Sequence, residues 1–94
     1  MIVNFKSKET KLIFDGFVSR YYPSDIQKAA LRKLLLLDAA TLVNDLQIPP
    51  GNRLEKLAGD RQGQYSIRIN NQWRICFIWT EENNADQVEI VDYH

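Results

Sequence analysis

Positions 92–94 carry a carboxylate, a phenol and an imidazole in succession, Asp92, Tyr93 and His94, and the last is the single histidine of this 94-residue chain. All three side chains can take part in proton transfer, although a solvated histidine at a strand end is the plainer reading of His94 taken by itself. Arg74 stands inside the aromatic run QWRICFIWT, and Arg68 in the preceding run QYSIRI. If those runs pair as neighbours, the two guanidiniums face one another across the turn. They repel, so an anion between them would be favoured. Arg53, Lys56 and Arg61 bring residues 53–74 to five cations against Glu55 and Asp60. The other carboxylates gather at Glu81, Glu82, Asp86, Glu89 and Asp92, so a formal net charge of zero hides a segregated pattern. For Arg53, Lys56 and Arg61, solvated strand positions are the better reading. For Arg74 the solvated and anion-binding readings are balanced.

The elements that must position these groups follow from periodicity. IVNF (2–5) reads as a short strand. Ser7 is placed to cap a first helix whose apolar side is Leu12, Ile13, Phe14, Phe17 and Val18, with Gly16 weakening it and Pro23 stopping it. Ser24 and Gln27 have capping-box spacing, and a helical pattern runs from there to about Leu46. Ile26, Ala30, Leu34, Leu37 and Val43 form one stripe. Leu31, Leu35, Leu42 and Leu46 widen it until it needs two partners, a sheet and the first helix, or another chain. Pro49-Pro50-Gly51 ends the segment.

From Arg53 the period becomes 2. RLEKL is a short strand and AGDRQG a turn. QYSIRI puts Tyr65, Ile67 and Ile69 on one face and Ser66, Arg68 and Asn70 on the other. Asn70-Asn71 suits a two-residue hairpin turn, asparagine being tolerant of positive φ. QWRICFIWT turns Trp73, Ile75, Phe77 and Trp79 inward, with Arg74, Cys76 and Ile78 opposite. EENNAD is a second turn and QVEIVDYH a last strand. The order β-α-α-β-β-β-β predicts a single α+β domain over 1–94, with two N-terminal helices on one face of a small, mainly antiparallel sheet and the other face open. Alternation puts Val88, Ile90, Asp92 and His94 on one side, and Glu89, Val91 and Tyr93 on the other. Asp92 and His94 then point towards the helices, unless the strand bulges near its end or runs past the sheet edge.

Composition narrows the function classes. Hydrophobic residues make up 45% and charged residues 26%, an ordinary globular balance. Twelve basic against twelve acidic residues argue against a strong non-specific polyanion binder. Cys76 has no partner for an internal disulfide, the charged start MIVNFKSKETK does not suit a signal peptide, and Leu34–Leu37 is too short to span a bilayer. A soluble, cytoplasmic protein with no membrane association is expected. Without a Walker loop, G-x-G-x-x-G, G-x-S-x-G or paired Cys/His ligands, no cofactor and no metal is expected either.

SIRINNQWRICF and EIVDYH, preceded by GNRLEKLAGDRQGQ, resemble the HigB-type toxins of bacterial toxin–antitoxin modules, and within them the GraT-like branch. The resemblance covers nearly the whole chain. It includes the opening I-x-x-F, LDAAT in the long helix, PPGNRLE-x-L-x-G, and the N-x-Q-W-R strand. That family lies in the RelE/ParE superfamily, which implies two helices packed on a small antiparallel sheet. It also implies a ribosome-dependent endonuclease that cuts messages in the ribosomal A site without a metal, by attack of a 2′-OH on the adjacent phosphate. Carried over by motif, Arg74 is the phosphate clamp and His94 the acid or base. Asp92 orients His94 or shares in proton transfer, and Tyr93 bonds the phosphate or stacks on a base.

The resemblance further predicts that the last residues leave regular alternation, so that His94 reaches the open face near Arg74. Where relatives carry L-H-P-L-K-G, this chain has Leu54-Glu55-Lys56-Leu57-Ala58-Gly59. Glu55 can serve as a base but cannot donate as an imidazolium, and the missing lysine weakens phosphate contact, so a mild or slow toxin is implied. The implied partners are a helix-turn-helix antitoxin of HigA/GraA type, the ribosome with its message, and operator DNA reached through the antitoxin complex. The superfamily's non-catalytic branch, ParE-like inhibitors of DNA gyrase, is the alternative function. A plain interaction module using the broad leucine surface is a third.

Overall fold

Ser7 caps the first helix as its position predicts: in the computed structural model, which describes residues 1–92, its Oγ accepts from the Thr10 N–H at 3.2 Å. That helix, α1, is Lys8–Phe14 and ends before Gly16, whose φ of +90° few other residues adopt. Phe17 and Val18, expected on its apolar side, lie beyond it and are exposed.

The second helix, α2 (Ser24–Ala39), buries Ile26, Ala30, Leu34 and Leu37 along one stripe. Two expectations about its ends do not hold. The Ser24–Gln27 capping box is not formed, because Pro23 takes the cap position. Gln27 instead turns back, accepting from the Ser19 N–H at 3.0 Å and donating to the Ser19 and Tyr22 carbonyls at 2.6 and 2.9 Å. Nor does α2 run on to Leu46. The Asp45 carboxylate accepts from the Thr41 N–H, the Thr41 hydroxyl and the Leu42 N–H, each at 3.0 Å. Those bonds give the backbone an alternative to helix, and the chain restarts as a 3₁₀ turn, Val43–Gln47, that buries Leu46. Leu35 and Leu42 stay exposed, so part of the leucine surface has no partner within the described residues.

The sheet is β1 (Glu55–Lys56), β2 (Gln64–Arg68), β3 (Trp73–Trp79) and β4 (Ala85–Asp92), in that spatial order and antiparallel throughout. The expected opening strand is reduced to two parallel bridges on the outer edge of β4, Ile2 with Ala85 and Phe5 with Val88. Farther along that edge the Thr10 hydroxyl accepts from the Ile90 N–H at 3.0 Å, and the Tyr22 hydroxyl donates to the Ile90 carbonyl at 3.1 Å. Phe77, Ile67, Ile75 and Val88 face α2 and are fully buried, each contributing roughly 1.5–3 kcal/mol by leaving water.

The β2–β3 hairpin pairs Arg68 with Arg74, but the turn differs from the expected two-residue one. The Ile69 and Asn70 N–H groups both donate to the Trp73 carbonyl, and the Asn70 side chain accepts from the Gln72 and Trp73 N–H groups at 2.9 and 2.8 Å. Neither Asn70 nor Asn71 adopts positive φ, because the Asn70 amide completes the turn instead.

The face away from the helices is not open as expected. Ser66 and Cys76 are fully buried there, and Arg74 is 7% exposed. Arg61 reaches from Gln64 on β2 to Glu89 on β4 and so crosses over β3. Burial pushes the Cys76 thiol above its ordinary pKa, partly offset by the nearby Arg61 guanidinium.

Candidate active site

Arg74 projects from β3 and is held on several sides. Its Nε donates to the Ser66 Oγ at 2.8 Å and its Nη2 to the Arg53 carbonyl at 2.6 Å. Its Nη1 lies 3.7 Å from the Glu55 carboxylate. The strand register explains the grouping. Glu55 pairs with Ser66 and Arg68 with Arg74, so all four project from one face of three adjacent strands. Together Arg53, Glu55, Arg68, Asn70, Asn71 and Arg74 line a cleft of about 280 Å³. Arg68 is steadied by donating to the Asn71 side-chain oxygen. Three guanidiniums against one carboxylate give this cleft an excess of positive charge among the described residues, suited to a phosphate or another oxyanion.

Of the residues expected to act, the structure brings Arg53, Glu55, Arg68 and Arg74 together in one cleft. Lys56 is not with them: its pairing opposite Tyr65 turns it to the other face of the edge strand. Arg61 is on the same face but at the far end, 3.4 Å from Glu89, which also pairs with Lys6 at 3.3 Å.

Asp92 closes β4 opposite Trp73 and accepts from the Gln72 Nε2 at 3.0 Å. The ladder stays in register from Glu89 to Asp92, so alternation holds up to that point. The irregularity lies at the opposite end of the strand, around Gln87 with its φ of +52°. Asp92 accordingly shares the Trp73 face and borders a different, larger cleft of about 640 Å³, walled by Tyr21, Tyr22 and Trp73. The two clefts meet the same hairpin loop, which gives Asn70 and Asn71 to one and Gln72 to Asp92. Tyr93 and His94, and with them the expected approach of His94 to Arg74, lie outside the described residues.

Two contributors were not singled out from sequence. Alternation places Ser66 on this face, and its one signal is a hydroxyl near an arginine position on the neighbouring strand. Asn52, fully buried beside Arg53, had no signal beyond its place after Pro49-Pro50-Gly51.

A model of the family described as the RelE-like toxin of type II toxin-antitoxin system HigB matches residues 3–94. The chain belongs to the HigB-like toxin family. Within it, the Vibrio cholerae protein named Toxin HigB-1 is 45% identical over 82 residues, covering 86% of this chain and 86% of that protein. The Proteus vulgaris protein named Endoribonuclease HigB is 34% identical over 96 residues and covers 100% of each. The RelE-like fold of the HigB-like family is seen again in the toxin–antitoxin complex YoeB-YefM from Staphylococcus aureus. A chain of that heterotetramer aligns with a TM-score of 0.60 at 20% identity, over 100% of this chain and 98% of its own.

Proposed function

We propose that this HigB-like toxin is an endoribonuclease that cuts messenger RNA on the ribosome, in the cytoplasm. The observation that carries the reading is the direct pairing of Arg68 with Arg74 beside Arg53, three guanidiniums that outnumber the one carboxylate lining the cleft among the described residues. In the proposed reaction the 2′-oxygen of one nucleotide bonds to the adjacent phosphorus, and the bond from phosphorus to the 5′-oxygen of the next nucleotide breaks. The products are a 2′,3′-cyclic phosphate and a free 5′-hydroxyl. A base takes the 2′-hydroxyl proton and an acid returns one to the leaving oxygen.

Arg74 stabilises the charge that builds on the non-bridging oxygens, for which its planar fork is suited. Arg68 and Arg53 hold the flanking backbone. Glu55 and His94 are the base and acid pair, Asp92 orients His94, and Tyr93 bonds the phosphate or stacks on a base. Glu55 lies close enough to Arg74 to offset part of its charge, which supports a slow enzyme and a mild toxin. An antitoxin of helix-turn-helix type restrains it and carries the pair to operator DNA.

Purified chain added to ribosomes programmed with a defined message tests this, with the new 5′ ends mapped. Cleavage within the A-site codon is expected, lost in Arg74→Ala and His94→Ala. Intact message with wild-type protein, or unchanged cleavage by both variants, overturns the reading. Inhibition of gyrase supercoiling in its place would assign the ParE-like function.

A further inference from the structure

We infer that Asn52 is a positioning residue for Arg74, acting through the carbonyl of its neighbour Arg53. The inference rests on the reading of Arg74 as the phosphate clamp.

Asn52 is fully buried, and its amide is committed on both sides. Nδ2 donates to the Leu46 carbonyl at 3.1 Å and to the Ile48 carbonyl at 3.3 Å. Oδ1 accepts from the Lys33 ammonium, which reaches over from α2. Both donor hydrogens and the carbonyl oxygen are therefore used, and the partners come from a helix and from the loop after it. Such an amide fixes where the chain leaves that loop.

The next residue leaves in an unusual conformation. Arg53 has φ 45° and ψ 57°, the left-handed region that a side chain with a Cβ rarely occupies. Its N–H donates to the Pro50 carbonyl at 3.1 Å, completing a 3₁₀ turn over Pro50–Asn52. A consequence of this turn is that the Arg53 carbonyl meets the Arg74 Nη2 at 2.6 Å. Ser66 already holds Nε at 2.8 Å. Two acceptors on the same side of a planar guanidinium fix its plane, and the second exists only because the turn is held. If the Asn52 amide is removed, Arg53 can relax to negative φ and its carbonyl swings away. Arg74 then keeps its strand position, its Ser66 contact and its approach to Glu55 but loses the acceptor that holds its Nη2.

The experiment measures message cleavage by wild type, Asn52→Ala, Arg74→Ala and the double variant on programmed ribosomes, well below each unfolding midpoint. In parallel, the Arg74 side-chain Nε and Nη resonances of the free ¹⁵N-labelled protein are followed. For Asn52→Ala we expect kcat to fall roughly ten- to a hundredfold, the cost of a small misplacement, with KM held within about twofold. On the Arg74→Ala background the same change should add nothing to the loss, whereas effects on stability should still add. The separate Nη signals expected of a restrained guanidinium should merge in Asn52→Ala while the Nε–H signal persists.

Full additivity in the cleavage cycle, or an Nη pattern unchanged by Asn52→Ala, overturns the inference. Should Asn52→Ala not fold, Lys33→Met removes one of the three bonds and should produce the same merging and a fall in kcat of about threefold; no change in either overturns it equally. If the wild type cuts no message, the nuclease reading falls, and the resonances alone still decide whether Asn52 positions Arg74.

Discussion

At one end of the sheet face away from the helices, Arg61 and Lys6 close on Glu89; at the other, Arg68 and Arg74 stand opposite each other beside Arg53 and Glu55. Both ends use the same residue types on the same face of the sheet. In the first, two cations share a carboxylate that is only 15% exposed, and they cover a buried thiol. In the second, three guanidiniums line a cleft whose one carboxylate is half exposed, at 50%. At the first end two cations close on one carboxylate; at the second, three guanidiniums of the described residues share one that is half exposed. Counting cations along residues 53–74 could not reveal this, because Arg61 and Arg53 weigh the same in a count.

The contrast breaks most visibly at Arg74. Arg74→Ala should lower message cleavage by roughly a hundred- to a thousandfold, the size of losing a principal stabiliser of developing charge. Glu89→Gln should do the reverse: cleavage within error of wild type, with about 1 kcal/mol lost from stability, measured by urea denaturation. A fall in cleavage comparable to that of Arg74→Ala would erase the distinction between the two ends. Arg68→Ala sharpens the picture further. As a backbone contact its loss should raise KM by roughly fivefold and reduce the salt dependence of RNA engagement by about one ion, with kcat nearly unchanged.

The smallest effect is expected far from either end. Hydrogen bonds from Leu42 and Thr41 hold the Asp45 carboxyl below its ordinary value of 3.8. A carboxylate favoured in the folded state stabilises fully above that unfolded value, and its contribution drains away as pH falls through the lowered folded one. Asp45→Asn should therefore reduce the decline of the thermal midpoint below about pH 4 and leave cleavage untouched.

Much of this arrangement was legible in the residues. Period-2 alternation gave the inward set Tyr65, Ile67, Ile75 and Phe77, and placed Arg68 across from Arg74, because side-chain parity and strand order are enough to fix both. The stripe on α2 was equally readable up to Leu37. Its end was not. Whether Asp45 bonds the Thr41 and Leu42 backbone or points to solvent depends on local geometry that apolar spacing does not encode. The same applies to Gln27, whose amide serves the Ser19 loop and not the helix start. Ser66 and Asn52 escaped notice for a related reason. A small polar residue is ordinary on any surface, and only burial beside a partner gives it a role.

The strap formed by residues 1–6 has a consequence for how the chain comes into being. The Met1 and Asn4 carbonyls accept from the Ala85 and Val88 N–H groups, and Thr10 meets Ile90, so this segment finds its partners on β4, far along the chain. Closing so long a loop is slow, and nothing nearer in sequence substitutes for it. A nascent chain lacking β4 holds α1 and α2 without the strand that completes their floor. Folding thus waits on one long-range closure: the two helices are seated only when β4 has joined the sheet.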